Sequence, residues 1–345
     1  MTATLEDTMG RGLRAVQFLA GDPIAQARIG QSPHQVLLRQ GPTALRYFPA
    51  ATGVPAPAPV FVSMPLINTW TIFDLLPGRS IIQALTAAGA SVYLLDWGTP
   101  GPEDRHRSLS DLVDGFLVRA LRRSIRDAQS RGLPVEDRIN AIGYCVGGTF
   151  LAVAAARHPG LVGRLCLLAA PIDFHQSGRL HRWADPATFP LDDLIDGLGN
   201  FPASLLQQSF AWLRPSGQSA KYRSLVERID DDGFRGLWAA LERWNATAVD
   251  FPGEAYREYV RRCYFDNALM AGGWALDGRP VDLSAGTAPA LVISAQDDHI
   301  CPPAAANGLQ AVWGGPVEVR SIQGGHVGVC IGKHLPAALL EWAAR

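Results

Sequence analysis

The sequence predicts an α/β fold: a mostly parallel sheet with helices on both faces and an inserted helical segment. Three observations predict it. Short apolar runs recur at 44–48, 60–64, 91–96, 138–142, 165–169, 290–294 and 317–321, the pattern of strands buried on both faces. Helical stretches separate the earlier runs, and strands alternating with helices imply a parallel sheet. The rhythm then stops near Ile172 and resumes only at about 279, with no clear strand between.

Taken in order, residues 1–40 read as an N-terminal arm of helix and irregular chain. The Pro/Gly/Ala stretch at 50–59 reads as a loop. Residues 78–88 form a helix that Gly89 stops. Between 109 and 128, Leu109, Leu112, Val113, Phe116, Leu117, Ala120, Leu121 and Ile125 fall on one helical stripe. An Ala-rich helix through Ala156 follows the strand at 138–142. Residues 172–278 hold Trp183, Trp212, Trp238, Trp244 and Trp274 of the nine tryptophans. They read as several short helices, a cap inserted between core segments 41–171 and 279–345.

Composition narrows the function. At 345 residues, 48% hydrophobic and 18% charged, the chain can bury a large core. A formal net charge of −1 gives no field that attracts nucleic acid or an anionic membrane. No run of about 18 apolar residues marks a membrane span, and MTATLEDTMGRG is unlike a signal peptide. Five scattered cysteines make no disulfide framework. With no CxxC or HxxxH pair, neither a metal site nor a cofactor is expected, and the cytoplasm is the expected location. Only Lys221 and Lys333 are lysines, a compositional bias without functional content.

Chemistry concentrates in three places. Gly143-Tyr-Cys145-Val-Gly147-Gly148 lies between a predicted strand and a predicted helix. A nucleophile there sits on a tight turn, and the glycines let the strand and helix backbones pass closely. The helix N-terminus favours thiolate, and the Val146 N–H can donate to an oxyanion. After a late strand come Asp297 and Asp298, either of which could orient a base; periodicity does not choose between them. His326 follows the last strand in Gln-Gly-Gly-His-Val-Gly. The order cysteine, aspartate, histidine is that of the α/β-hydrolase fold. In it His326 takes the thiol proton, the aspartate fixes its tautomer, and Cys145 attacks a carbonyl. A second oxyanion donor is expected after the strand at 60–64, from the N–H of Leu66 or Ile67.

These segments resemble the polyhydroxyalkanoate synthases, which polymerise (R)-3-hydroxyacyl-CoA into polyester. The similarity runs through Ser32-Pro-His-Gln-Val36, Leu45-Arg-Tyr47, Pro65-Leu-Ile-Asn68, Leu75-Leu-Pro-Gly-Arg-Ser80 and Val92-Tyr-Leu-Leu-Asp-Trp-Gly98. It continues through Gly143-Tyr-Cys-Val-Gly-Gly148, Pro171-Ile-Asp-Phe174 and Pro252-Gly-Glu-Ala-Tyr256. In that family the catalytic acid directly precedes a histidine, which implies Asp298. The layout is similar to the short members that work with a second subunit. The resemblance thus implies hydroxyacyl-CoA and a growing polyester as ligands, a second synthase subunit or a homodimer as partner, and the surface of polyester granules as a place of work. Cys301 departs from the family's β-branched residue, Cys330 lies near His326, and Arg243-Trp-Asn-Ala-Thr-Ala follows the family's Trp-x-Asn-Asp only loosely. Both cysteines read as apolar filler. An esterase, thioesterase or depolymerase on the same residues is the alternative reading, and a non-catalytic binding homologue a third.

Overall fold

In the computed structural model, which describes residues 5–53 and 57–344, eight strands form one sheet. Parts of the expected arm (1–4) and of the expected loop (54–56), and the terminal 345, lie outside the described residues. The strands are β1 (Gln35–Gln40), β2 (Thr43–Phe48), β3 (Val60–Ser63), β4 (Val92–Asp96), β5 (Ile139–Tyr144), β6 (Val162–Leu168), β7 (Ala290–Ala295) and β8 (Val317–Ile322). Their spatial order is β1-β2-β4-β3-β5-β6-β7-β8. β2 runs antiparallel to both neighbours and the other pairs are parallel. This is the α/β-hydrolase topology. β3 to β5 and β7 are buried almost throughout, hence their unbroken apolar runs.

β1 falls inside the expected arm. As a half-exposed edge strand reading Gln-Val-Leu-Leu-Arg-Gln, it carries no apolar run to mark it. The helix expected over 78–88 begins only at Ile81. Gly78 takes a positive φ of 73°, Arg79–Ser80 pair back onto Asp74–Leu76, and the Ser80 hydroxyl caps the helix by accepting from Gln83 N–H.

Helices of seven residues or more are α1 (Leu5–Ala20), α2 (Ile81–Ala87), α3 (Val118–Ser130), α4 (Val146–Arg157), α5 (Leu191–Leu198), α6 (Ala203–Leu213), α7 (Ser216–Glu227), α8 (Asp232–Asn245), α9 (Gly253–Tyr259) and α10 (His334–Ala344). A wider π-type turn, Asp111–Leu117, leads into α3. Between β6 and β7 the chain is helical apart from two short pairings. Phe201 bridges Phe251, and Ala275–Leu276 pair with Arg279–Pro280. That hairpin turns on Asp277 and Gly278, both at positive φ, an Asp-Gly turn joining strands too short to show alternation.

The hairpin is held by an ion cluster. Arg157, at the end of α4, is 4% exposed and sits 2.7 Å from Asp114. It also donates to the carbonyls of Leu276, Arg279 and Pro280. Burial would raise the Asp114 carboxyl, but hydrogen bonds from Arg157 and His158 hold it below its ordinary 3.8. Removing one partner of a buried pair typically costs about 3–5 kcal/mol. Arg157→Met is therefore expected to lower unfolding free energy by about 3 kcal/mol in urea titration at neutral pH. A folded-state pKa below the unfolded one gives stability that is complete above pH 3.8 and lost as pH falls through the lowered value. The gap between wild type and variant is expected to narrow over that same range.

Candidate active site

Cys145 joins β5 to α4 in a conformation that L-residues rarely adopt, φ 52° and ψ −138°. Its N–H extends the β5–β6 ladder by donating to the Leu168 carbonyl at 3.0 Å, and the helix begins one residue later. Two glycines make that turn possible. A Cβ on Gly143 would lie 2.3 Å from Gly148 Cα, and one on Gly147 would lie 2.2 Å from the Met64 carbonyl oxygen. Val146 is the first residue of α4, so its N–H has no partner within the helix.

The other two residues arrive from neighbouring strands. Past β7 and β8 the ladder continues, with Gln296 N–H donating to Ile322 O and Asp297 N–H to Gly324 O, both at 2.9 Å. The acid loop therefore lies against the histidine loop. Asp297 is exposed and Asp298 is buried. Asp298 Oδ1 accepts from the N–H groups of Ile300 and Cys301, each at 2.8 Å. Its Oδ2 lies 2.6 Å from His326 Nδ1. His326 is itself buried, its ring tilted over Tyr144 at 5.3 Å, and Tyr144 donates its hydroxyl to the His326 carbonyl at 3.1 Å. Sequence reasoning overlooked that support, although Tyr144 adjoins Cys145.

Burial alone would lower the His326 pKa. The nearby charge of Cys145 and the charge and hydrogen bond of Asp298 outweigh it and lift the ring from 6.5 to about 10. Such a group adds stability that is complete below pH 6.5 and lost as pH rises through about 10. All five cysteines are free and buried. Burial first, then Asp298 and Cys145, push the Cys301 thiol well up, so Cys301 stays protonated. Its backbone N–H donates to Asp298, and the residue also lines a cavity shared with Cys145. Burial likewise pushes Cys330 up.

Two cavities meet at Cys145. One is apolar and aromatic, with Phe189, Phe251, Tyr256, Tyr259, Tyr264 and Trp183 in its wall. The other passes His326 and presents amides, among them Asn68, Gln207, Gln208, Gln218 and Asn245. Asn68 Oδ1 is buried there without a protein partner. Ile67, Leu206, Phe210 and Ile300 border both. Ile67 thus reaches the cavities while the Leu66 side chain is buried in the core. Of the five tryptophans at 172–278, Trp183 and Trp244 line cavities. Trp238 packs in a second small core with Ala15 of α1, Trp274 is buried in the main core, and Trp212 is 63% exposed. Among the described residues, no group of three or more His, Cys, Asp or Glu could hold a metal ion. No helix there is long and apolar enough to cross a membrane.

Residues 73–330 match the family model of the α/β-hydrolase fold. The chain is 31% identical to the poly(3-hydroxyalkanoate) polymerase subunit PhaC of Allochromatium vinosum, over 91% of this chain and 88% of that one. It is 32% identical to the subunit of the same name from Haloarcula marismortui, over 91% and 68%. The chain belongs to this polymerase family. It spans 66% of the polymerase subunit from Haloferax mediterranei, at 31% identity. Among solved structures, a soluble variant of monoglyceride lipase from Saccharomyces cerevisiae superposes with a TM-score of 0.55 at 12% identity, covering 92% of this chain and 96% of that one. At that identity the likeness is one of fold alone.

His326 is expected to titrate near pH 10 by histidine NMR in the wild-type chain. In Cys145→Ala, which removes the sulfur that helps to raise it, its pKa should fall. An unchanged titration would mean that the two side chains are not electrostatically paired.

Proposed function

We propose that this chain polymerises (R)-3-hydroxyacyl-CoA into polyester, with Cys145 carrying the growing acyl group. The observation that supports it most is a buried cysteine on a strained turn, backed by the Asp298–His326 pair, at the junction of an apolar and an amide-lined cavity. A hydroxyacyl-CoA has an apolar acyl end and an amide-bearing arm joined at the thioester carbon, so the two cavities suit its two halves.

In this reading His326 takes the Cys145 proton and the sulfur attacks the thioester carbonyl. The Val146 N–H and that of Ile67 or Leu66 hold the oxyanion. The carbon–sulfur bond to CoA breaks, and CoA leaves as a thiol with the proton from His326. A hydroxyl of another hydroxyacyl unit then gives its proton to His326 and attacks the acyl-cysteine, forming the ester and freeing Cys145. Asp298 keeps the ring oriented throughout. The inserted segment acts as a cap that keeps water from the acyl-cysteine, and a positioned alcohol can reach effective molarities of roughly 10⁵–10⁸ M. A second subunit or a second copy of the chain completes the enzyme, which works at the polyester surface.

Incubation with 3-hydroxybutyryl-CoA, following CoA release and polymer together, tests this. Cys145→Ala should abolish both at an almost unchanged thermal midpoint. Asp298→Asn should cost up to about 10⁴-fold, as for the orienting aspartate of a serine protease, and Asp297→Asn little. The opposite ranking of the two aspartates would reject the assignment.

The product identifies the acceptor. Mainly oligomer or polymer is expected, and Trp183→Ala should raise the share of free 3-hydroxybutyrate by opening the chamber wall. Stoichiometric free acid from the intact chain with its partner supplied would make it a hydrolase instead.

A further inference from the structure

The apolar chamber carries three phenols in its wall, those of Tyr256, Tyr259 and Tyr264. Tyr259, at the end of α9, and Tyr264, five residues on, line it together with Cys145. Their rings meet edge to face at 5.7 Å. Each is also held by Phe174, at 5.6 Å for Tyr259 and 4.9 Å for Tyr264, and Tyr259 lies over Phe251 as well. Among the described residues, no backbone or side-chain group accepts a hydrogen bond from either hydroxyl, so the two rings meet through aromatic packing.

Each phenol carries one proton to donate. Neither oxygen is among the buried side-chain atoms closed off without a partner, so both donors are open to the chamber that their rings line. A plain hydrocarbon tail would leave them unsatisfied there, which is costly. The acyl group has two oxygens near its thioester end. Its carbonyl oxygen is directed to the backbone N–H groups at the start of α4, leaving the hydroxyl on the third carbon.

We infer that the Tyr259–Tyr264 pair is the specificity element that recognises the 3-hydroxyl of the acyl group and disfavours unsubstituted acyl thioesters. This rests on the polymerase reading above. A site built to bond a hydroxyl discriminates against the analogue lacking it far better than an apolar pocket can sense a methylene.

The test is single-turnover acylation of Cys145 by 3-hydroxybutyryl-CoA and by butyryl-CoA, read by intact mass and CoA release. Wild type should favour the hydroxy substrate by about tenfold or more. Tyr264→Phe and Tyr259→Phe keep both rings in their aromatic packing. Each should bring the ratio close to one, chiefly by slowing the hydroxy substrate. Equal slowing of both substrates, with the ratio kept, would assign the tyrosines a merely structural role and overturn the inference. Wild type acylated equally by both would overturn it too, with the polymerase reading left standing. Acylation by neither, in a chain whose Cys145 still reacts with iodoacetamide, would reject the polymerase reading and this inference with it.

Discussion

The left-handed turn at Cys145 is the constraint on which the site depends. A non-glycine residue in a sparsely populated backbone region costs of order 1–3 kcal/mol and persists only where its surroundings over-determine it. Here they do. The preceding strand is locked between β3 and β6, the Cys145 N–H is tied to Leu168, and α4 begins at Val146. Relaxing the turn would have to move a central strand or a buried helix. Gly143 and Gly147 are part of the same constraint, because side chains there would push α4 away from β5 and from the Met64 carbonyl. The sulfur is thereby fixed at the positive end of a helix, above the sheet, where two loops from β7 and β8 can reach it.

Burying the side chain of Asp298 behind His326 raises a second problem, since an isolated buried charge is expensive. Asp298 is compensated by two backbone N–H groups on one oxygen and the imidazole on the other. The backbone donors come from its own loop, so that loop's conformation holds the acid before any substrate arrives. Cys301 serves this purpose through its amide, which any residue but proline could supply. A cysteine side chain at 301 therefore leaves the backbone donors of the acid undisturbed.

Much of this was legible in the sequence, and its failures have particular causes. The elbow was readable because its glycines, nucleophile and flanking elements are contiguous. Asp297 and Asp298 could not be separated by pattern, since adjacent residues point to different sides and nothing in a turn fixes which side is inward. Family resemblance selected Asp298, and the structure places Asp298, not Asp297, against His326. β1 escaped notice because edge strands need not be apolar. The Ala275–Pro280 hairpin escaped because its signal was the Asp-Gly turn, not its two-residue strands. The tryptophans show what composition cannot do. Five fall in one segment, yet they divide among cavity wall, two cores and surface. The tyrosines that share a chamber with Cys145 drew no attention, because their common environment exists only after folding.

In the proposed reaction a thiol exchanging with a thioester gains little free energy, so the first transfer would be close to reversible and would not commit the acyl group to any product. Commitment would come with the second acceptor, and the choice between water and an alcohol would follow from what the cavities admit and position. The amide-lined cleft passes His326 and offers donors and acceptors to a polar arm. The aromatic chamber offers the phenols of Tyr256, Tyr259 and Tyr264 among hydrocarbon. In the proposed reaction an acyl chain seated there would cover Cys145 from the apolar side and leave His326 reachable from the polar side. The helical segment between β6 and β7 supplies walls to both cavities, through Phe210 and Leu206 of α6 and the tyrosines of α9 and beyond. Small shifts of that segment would alter access and acceptor position together, without touching the turn or the buried pair. The sheet thus fixes the reactive atoms, and the inserted helices determine which molecule meets them.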